Sequence, residues 1–330
     1  MSEDLLLELR DLSVSIVGKK ETLPIVKGID LHIPRGSIVG LVGESGCGKS
    51  MTAKSINNIL PPFARVTGGS IIWRTEASGE VDLALLKEKE MRKKCGTEIA
   101  MVFQEPMTSL NPLMQVGEQI KEVLTIHGVE RDNKKAKDRV IEMLSKVGIA
   151  EPALRYNAWP HELSGGMRQR VMIAMAMICQ PKLLIADEPT TALDVTIEAQ
   201  ILSLIKELCR NNSMSALVIT HNMGVVSTLC DYVYVMYLGS VVESAPVKEL
   251  FNNPCHPYTR GLLSSIPHVG DNPEFLHTIP GNVPDMKKHF KGCDFCLRCS
   301  DDIKQCFFEK PALTETGAGH FVRCHRSLGA

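Results

Sequence analysis

Between Leu5 and Val17 apolar and polar residues partly alternate, and a second extended stretch covers 25–33 before the turn Pro34-Arg35-Gly36. A period near two predicts a pair of antiparallel strands. Residues 37–42 form a short apolar run closed by a glycine-rich turn, and a helical pattern then runs over 49–59. Further strands are predicted at 69–73, 99–103, 183–186 and 216–220, separated by segments of helical period such as 116–126 and 134–147. Strands alternating with helices predict a largely parallel α/β sheet, here with an antiparallel β edge. After Asn222 the pattern predicts a hairpin over 232–242, turning at Leu238-Gly239, and short helices over 247–251 and 258–265. From Pro267 onward prolines, glycines and cysteines dominate and the periodicity disappears. So apolar-poor a tail needs a staple to fold.

A chain of 330 residues exceeds the roughly 250–300 at which a single core stops growing. One main domain over 1–266, with a helical lobe about 113–180, and a cysteine-rich extension over 267–330 is the expected division. The formal net charge is -1, from 37 basic and 38 acidic residues, so no overall field would hold the chain on nucleic acid or an anionic bilayer. The start Met1-Ser2-Glu3-Asp4 is acidic where a signal peptide is basic, and no apolar run reaches the ~18 residues that span a bilayer. A cytosolic placement follows as an expectation. Of the eleven cysteines, Cys95, Cys179, Cys209 and Cys230 read as small buried hydrophobes. Cys293, Cys296, Cys299, Cys306 and Cys324 crowd the C-terminal segment, and in a reducing cytosol such a cluster suggests metal ligands rather than disulfides.

The segment Gly43-Glu44-Ser45-Gly46-Cys47-Gly48-Lys49-Ser50, followed by Met51, fits G-x-x-x-x-G-K-[ST]. Between a strand and a helix this pattern makes a phosphate cradle, because the glycines let backbone N–H groups close around the oxygens and the helix turns its positive end toward them. Lys49 is then expected to reach the β- and γ-phosphates of ATP, and Ser50 to hold Mg²⁺. Residues 183–186 form an apolar strand ending in Asp187 and Glu188. Asp187 can support Mg²⁺, and Glu188 can polarise a water at the γ-phosphate.

Leu163-Ser164-Gly165-Gly166-Met167-Arg168-Gln169-Arg170 resembles the signature LSGGQ-x-Q-R of the ABC-transporter ATPases, with Met167 at the usual Gln position. The resemblance covers about 5–267. It implies the fold of a P-loop ABC nucleotide-binding domain: a parallel sheet core, an antiparallel β edge and a helical signature lobe. It also implies that Ser164, Gly165 and Gly166, at a helix start, bind ATP held by a second subunit. Gln104 resembles the Q-loop glutamine at Mg²⁺ or the attacking water, Thr191-Ala192-Leu193-Asp194 the D-loop, and His221 the switch histidine at the γ-phosphate. Catalysis is thereby expected from Glu188, His221, Lys49 and Gln104. The position at which the family stacks an aromatic on adenine falls near Ile16, which leaves apolar contact only.

Residues 104–112 and His256-Pro257-Tyr258-Thr259 are similar to segments of the dipeptide, oligopeptide and nickel importer ATPases. The resemblance implies an ATP hydrolase at the cytoplasmic face of the membrane. Its partners would be a second ABC ATPase subunit, in a heterodimer or a homodimer, two transmembrane permease subunits and, indirectly, an extracytoplasmic solute-binding protein. In that group the tail cysteines at Cys293, Cys299, Cys306 and Cys324 hold a 4Fe-4S cluster in some members. Four thiolates suit a cubane or tetrahedral Zn²⁺ equally, and the run Cys293-x-x-Cys296-x-x-Cys299 with Cys306 offers a rival ligand set. Two other functions compete: a soluble ABC ATPase acting on nucleic acid or in translation, and an iron-sulfur redox ATPase. One cassette, no heptads and no basic stripe argue against the first.

Overall fold

The computed structural model describes residues 4–18, 21–75, 79–104, 109–191, 193–266, 279–286 and 291–326. The chain forms two compact units, one of Met1–Pro34, Ile38–Leu85 and Thr220–Ala330, the other of Arg35–Ser37 and Leu86–Ile219. The cysteine-bearing tail therefore belongs to the first unit, together with the N-terminal strands.

In the first unit the strand Leu5–Val17 pairs antiparallel with Thr22–Pro34 on one side and with Ala64–Thr75 on the other, and Gly79–Asp82 adds a fourth strand. The incomplete alternation of the first strand has a physical cause. Leu7 and Leu9 are fully buried, Asp11 takes a positive φ of 46° at a register shift, and burial resumes at Leu12 and Val14. One extra residue at the bulge keeps Leu12 and Val14 buried after Leu7 and Leu9, and Trp73, paired with Leu7, packs without exposure.

The same unit holds the strand Ile38–Val42, parallel to Tyr232–Tyr237. The latter turns back through Leu238 and Gly239, both at positive φ, into Ser240–Pro246. This is the hairpin expected from the pattern, and its two-residue turn matches the twist of the strands. The tail, in which no hydrophobic period is visible, nevertheless adds strands. Thr314–Gly317 and His320–Val322 pair with each other, and the second lies antiparallel on Ser240–Pro246. A buried polar knot fixes this addition: Glu243, fully buried, accepts from the Cys255 and His256 N–H groups at 2.7 and 3.0 Å, and from His320 Nε2 at 2.8 Å. A fully hydrogen-bonded buried carboxylate specifies one pairing, because any slip would leave its charge uncompensated.

In the second unit the parallel strands Ile99–Val102, Leu183–Asp187 and Ser215–Thr220 lie side by side, the last two buried along their whole length. Burial on both faces explains why they read as continuous apolar runs. Helices Val116–Ile126, Asn133–Lys146 and Gly165–Met177 form the lobe, with the Tyr156 hydroxyl donating to Glu118 Oε1 at 2.6 Å. The helices and strands foreseen from the pattern are present, with ends displaced by a few residues: the helix expected over 49–59 stops at Ile56 and the strand expected over 69–73 extends over Ala64–Thr75. Cys209 and Cys230 are buried as expected; Cys95 and Cys179 are only half-buried, so the reading of all four as core residues is corrected.

His256 caps the helix Pro257–Ser264, its Nδ1 accepting from the Tyr258 N–H at 3.1 Å. Complete burial, aided by the Arg260 charge, lowers its pKa to about 3. A histidine free to protonate at about 6.5 in the unfolded chain but not in the folded one makes the unfolded state bind more protons between these values. Stability contributed by His256 is thus complete above about pH 6.5 and declines as pH falls toward 3. The unfolding midpoint in urea should drop between pH 7 and 5, and His256→Asn, which keeps a capping acceptor without the titration, should flatten that dependence; an unchanged slope would count against this origin.

Candidate nucleotide site

The first unit carries the phosphate-loop motif between the strand Ile38–Val42 and the helix Lys49–Ile56. A Cβ on Gly43 would overlap the Met236 carbonyl oxygen, so only glycine lets the loop lie this close to the strand Tyr232–Tyr237. The hairpin turn closes the other side, with the Gly239 N–H donating to the Cys47 carbonyl at 3.0 Å. Inside, Lys49 is 5% exposed and its ammonium donates to the carbonyls of Gly43 at 2.7 Å and Glu44 at 3.0 Å. A cation removed from water needs compensation, and carbonyl dipoles supply it without cancelling the charge. Ser45 and Gly46 are exposed, Ser50 and Met51 half-buried in the first turn of the helix, and burial raises the Cys47 thiol above its ordinary pKa.

Two side chains that sequence reasoning did not connect to the loop hold it from outside. The Tyr258 hydroxyl accepts from the Glu44 N–H at 2.9 Å. Arg298 donates to both oxygens of the Glu44 carboxylate, Nη1 to Oε2 at 2.7 Å and Nη2 to Oε1 at 3.0 Å. Tyr258 lies in a segment quoted for its resemblance alone, and Arg298 sits among cysteines far along the chain, so no local signal could reveal either contact. His221 is exposed just after Thr220 and before Asn222, which caps the helix Met223–Leu229 by accepting from the Gly224 N–H at 2.8 Å. Ile16, half-buried, sits in register with Leu23 and Ala64.

The second unit brings together Gln104 and Glu188. The strand Leu183–Asp187 ends in a buried Asp187, and Glu188 follows at a φ of 48°. A left-handed conformation costs a non-glycine residue on the order of 1–2 kcal/mol, and such strain persists where surroundings over-determine it. They do so here. The Glu188 N–H donates to the Ile219 carbonyl at 2.9 Å, while Gln104 Nε2 and Thr191 Oγ1 donate to Glu188 Oε2 at 2.7 and 2.9 Å. Thr191 thus emerges as a partner of the acid. Residues 105–108 and Ala192 lie outside the described residues.

Ser164 begins the helix Gly165–Met177, its Oγ accepting from the Met167 N–H at 3.3 Å. Ser164 and Gly165 are exposed there, at the positive end of the helix dipole. A Cβ on Gly166 would stand 2.7 Å from Ile197 Cγ2, so glycine allows the close approach of this helix to Val195–Asn211. Asp194 caps that second helix, accepting from the Ile197 N–H at 2.9 Å. Its carboxylate, expected to serve nucleotide binding, therefore has a structural duty as well.

The tail thiols share one neighbourhood in the first unit. Burial pushes Cys293 up to about 12, with Cys306, Cys296 and Cys324 close enough to add to the shift. Burial pushes Cys299 up to about 11, with Cys324 and Cys306 contributing. Burial raises these thiols without any metal, and the donor atoms that lie within 4.8 Å of one another among the described residues are those of Glu243, Cys255 and His320.

A family model described as ABC transporter matches residues 26–191, and one described as the oligopeptide/dipeptide transporter C-terminal region matches 242–306. The chain is 48% identical to the oligopeptide transport ATP-binding protein AppD of Bacillus subtilis (strain 168), covering 97% of this chain and 96% of that one. It is 45% identical to the dipeptide transport ATP-binding protein DppD of the same organism over 96% of this chain and 93% of the relative. Among solved structures, a dimeric ATP-binding cassette, MJ0796, in a post-hydrolysis state bound to ADP and Pi superposes with a TM-score of 0.64 at 26% identity, covering 73% of this chain and 98% of that one.

The capping geometry of Asp194 carries its own expectation. Asp194→Ala should lower stability by about 1 kcal/mol and Asp194→Ser should retain most of it, read from urea unfolding curves; equal losses would mean the cap contributes nothing.

Proposed function

This chain belongs to the ABC transporter family, and from that premise we propose that it powers the import of oligopeptides or dipeptides, with the motif residues in the roles given below. As a member of that family it is an ATP hydrolase. The observation that carries the site assignment is the closed phosphate loop with its buried, dipole-compensated Lys49. Peptide cargo is supported by the names of the relatives and by the match of residues 242–306 to the peptide-transporter C-terminal region; both relatives carry peptide transport in their descriptions.

In this reading residues 43–51 form the phosphate cradle, the Glu44 N–H staying on the Tyr258 hydroxyl while the other loop N–H groups and the Lys49 ammonium bind the β- and γ-phosphates, and Ile16 gives the adenine an apolar contact. Ser50, Gln104 and Asp187 offer the oxygen donors that hard Mg²⁺ takes. Mg²⁺, when bound, offsets phosphate charge. Glu188 accepts a proton as water attacks the γ-phosphorus, and the bond to the β–γ bridging oxygen breaks to leave ADP and phosphate. Gln104 and Thr191 orient Glu188 through a shared oxygen, and His221 and Lys49 steady the developing charge. Ser164, Gly165, Gly166 and Asp194 face nucleotide on a second ATPase subunit; a dimeric solved relative supports that arrangement.

Two transmembrane permease subunits, and an external solute-binding protein acting on them, complete the transporter at the cytoplasmic face of the membrane. Among the described residues no helix is long and apolar enough to cross a membrane, which suits a subunit that leaves the crossing to others. Cys293, Cys299, Cys306 and Cys324 would hold a metal centre, 4Fe-4S or Zn²⁺, which would staple the tail. The crowding of their thiols supports this set, with Cys296 beside it.

In the assembled transporter Glu188→Gln should cut kcat at least about a hundredfold while MgATP affinity stays within twofold; unchanged turnover would remove Glu188 from the role of base. Anaerobically purified protein should show visible absorption that bleaches on reduction, or stoichiometric zinc, and Cys306→Ser should lose either; metal-free wild-type protein with an intact fold would eliminate the staple.

A further inference from the structure

The proposed nucleotide chemistry uses the loop itself and leaves the Arg298 contact on Glu44 without a role. Arg298 lies in the tail turn Cys296–Arg298, between two of the clustered cysteines. Its side chain is 4% exposed, against 26% for Glu44. Beyond the two bonds to Glu44, Nε donates to the Pro280 carbonyl at 2.9 Å and Nη1 to the Tyr237 hydroxyl at 3.4 Å. Phe295, three residues earlier, packs edge-on to Tyr237 at 5.2 Å and against Tyr258 at 5.4 Å. The guanidinium is therefore held in place before it engages Glu44, which makes the pair a rigid link rather than a loose surface contact.

Glu44 is a carboxylate set in a loop whose other features attract a triphosphate. Left alone, it would oppose the ligand and could swing the residues on either side of it. Three contacts prevent this: Tyr258 on its N–H, Lys49 on its carbonyl and Arg298 on its side chain. Only the last also neutralises its charge. We propose that Arg298 is a positioning residue for the nucleotide reaction, acting through Glu44 to neutralise and anchor the phosphate loop from the cysteine-bearing tail. The tail then does more than cover the sheet edge: any displacement of its turn reaches the nucleotide site through one bidentate pair. This rests on the phosphate-loop reading above.

A double-mutant cycle on the full-length chain tests it, using a fluorescent ATP analogue with Mg²⁺. Arg298→Gln should weaken nucleotide affinity roughly tenfold in the wild-type background, since removing one partner strands the other's charge. In the Glu44→Gln background the same substitution should change affinity less than twofold. Arg298→Lys, which keeps the charge but not the fork, should fall between and serves as the comparison if Arg298→Gln does not fold. Affinity within twofold of wild type for both Arg298 variants, or an equal loss in both Glu44 backgrounds, would overturn the proposal. Lys49→Ala in the same assay separates the two levels. If it binds nucleotide normally, the phosphate-loop reading itself fails; if it loses binding while the Arg298 variants keep theirs, only the role of Arg298 fails.

Discussion

A buried ammonium surrounded by carbonyl oxygens is the constraint from which the nucleotide half of this molecule is built. Lys49 cannot leave water without compensation, and the loop meets that need with its own backbone, so its shape and its positive potential are one property. The backbone can do so only if it folds tightly over the strand Tyr232–Tyr237, and that closeness excludes any side chain at Gly43. The hairpin turn, the Tyr258 hydroxyl and the Arg298 fork then act on a loop already closed from within. Each holds a different atom of it: the Cys47 carbonyl, the Glu44 N–H and the Glu44 carboxylate.

The second unit solves a different problem, that of presenting an acid. Glu188 leaves a fully buried strand through a left-handed turn, at some conformational cost. Bonds from Gln104 and Thr191 to a single oxygen hold the result. Nearby, two helix starts, at Gly165 and Val195, approach through Gly166 and are capped by Ser164 and Asp194. Each of these side chains therefore has a structural duty at its helix start.

The first unit also shows how a segment poor in apolar residues can still be ordered. Thr314–Gly317 is mostly exposed, whereas His320 and Val322 are buried where their strand borrows the backbone of Ser240–Pro246 and the buried carboxylate of Glu243. Hydrogen bonding to an existing sheet replaces the core the segment lacks, and the Phe295 ring packed on Tyr237 and Tyr258 adds a small apolar anchor.

Residues close in sequence determined the elements and the motifs. Alternation marked the antiparallel strands, unbroken apolar runs marked the buried parallel ones, and the phosphate loop and the signature were legible because backbone geometry at a strand-to-helix turn depends on neighbouring residue types. The bulge at Asp11 explains why the first strand alternates only in part, and it could be understood only with its partners in register. Nothing local could mark the tail strands, too short and polar to show a period. The Glu44–Arg298 pair, the Thr191 contact on Glu188 and the capping duty of Asp194 likewise belong to the tertiary structure. They join groups whose distance depends on how whole elements pack, and a hydrogen bond between distant residues leaves no period or spacing for a sequence to display.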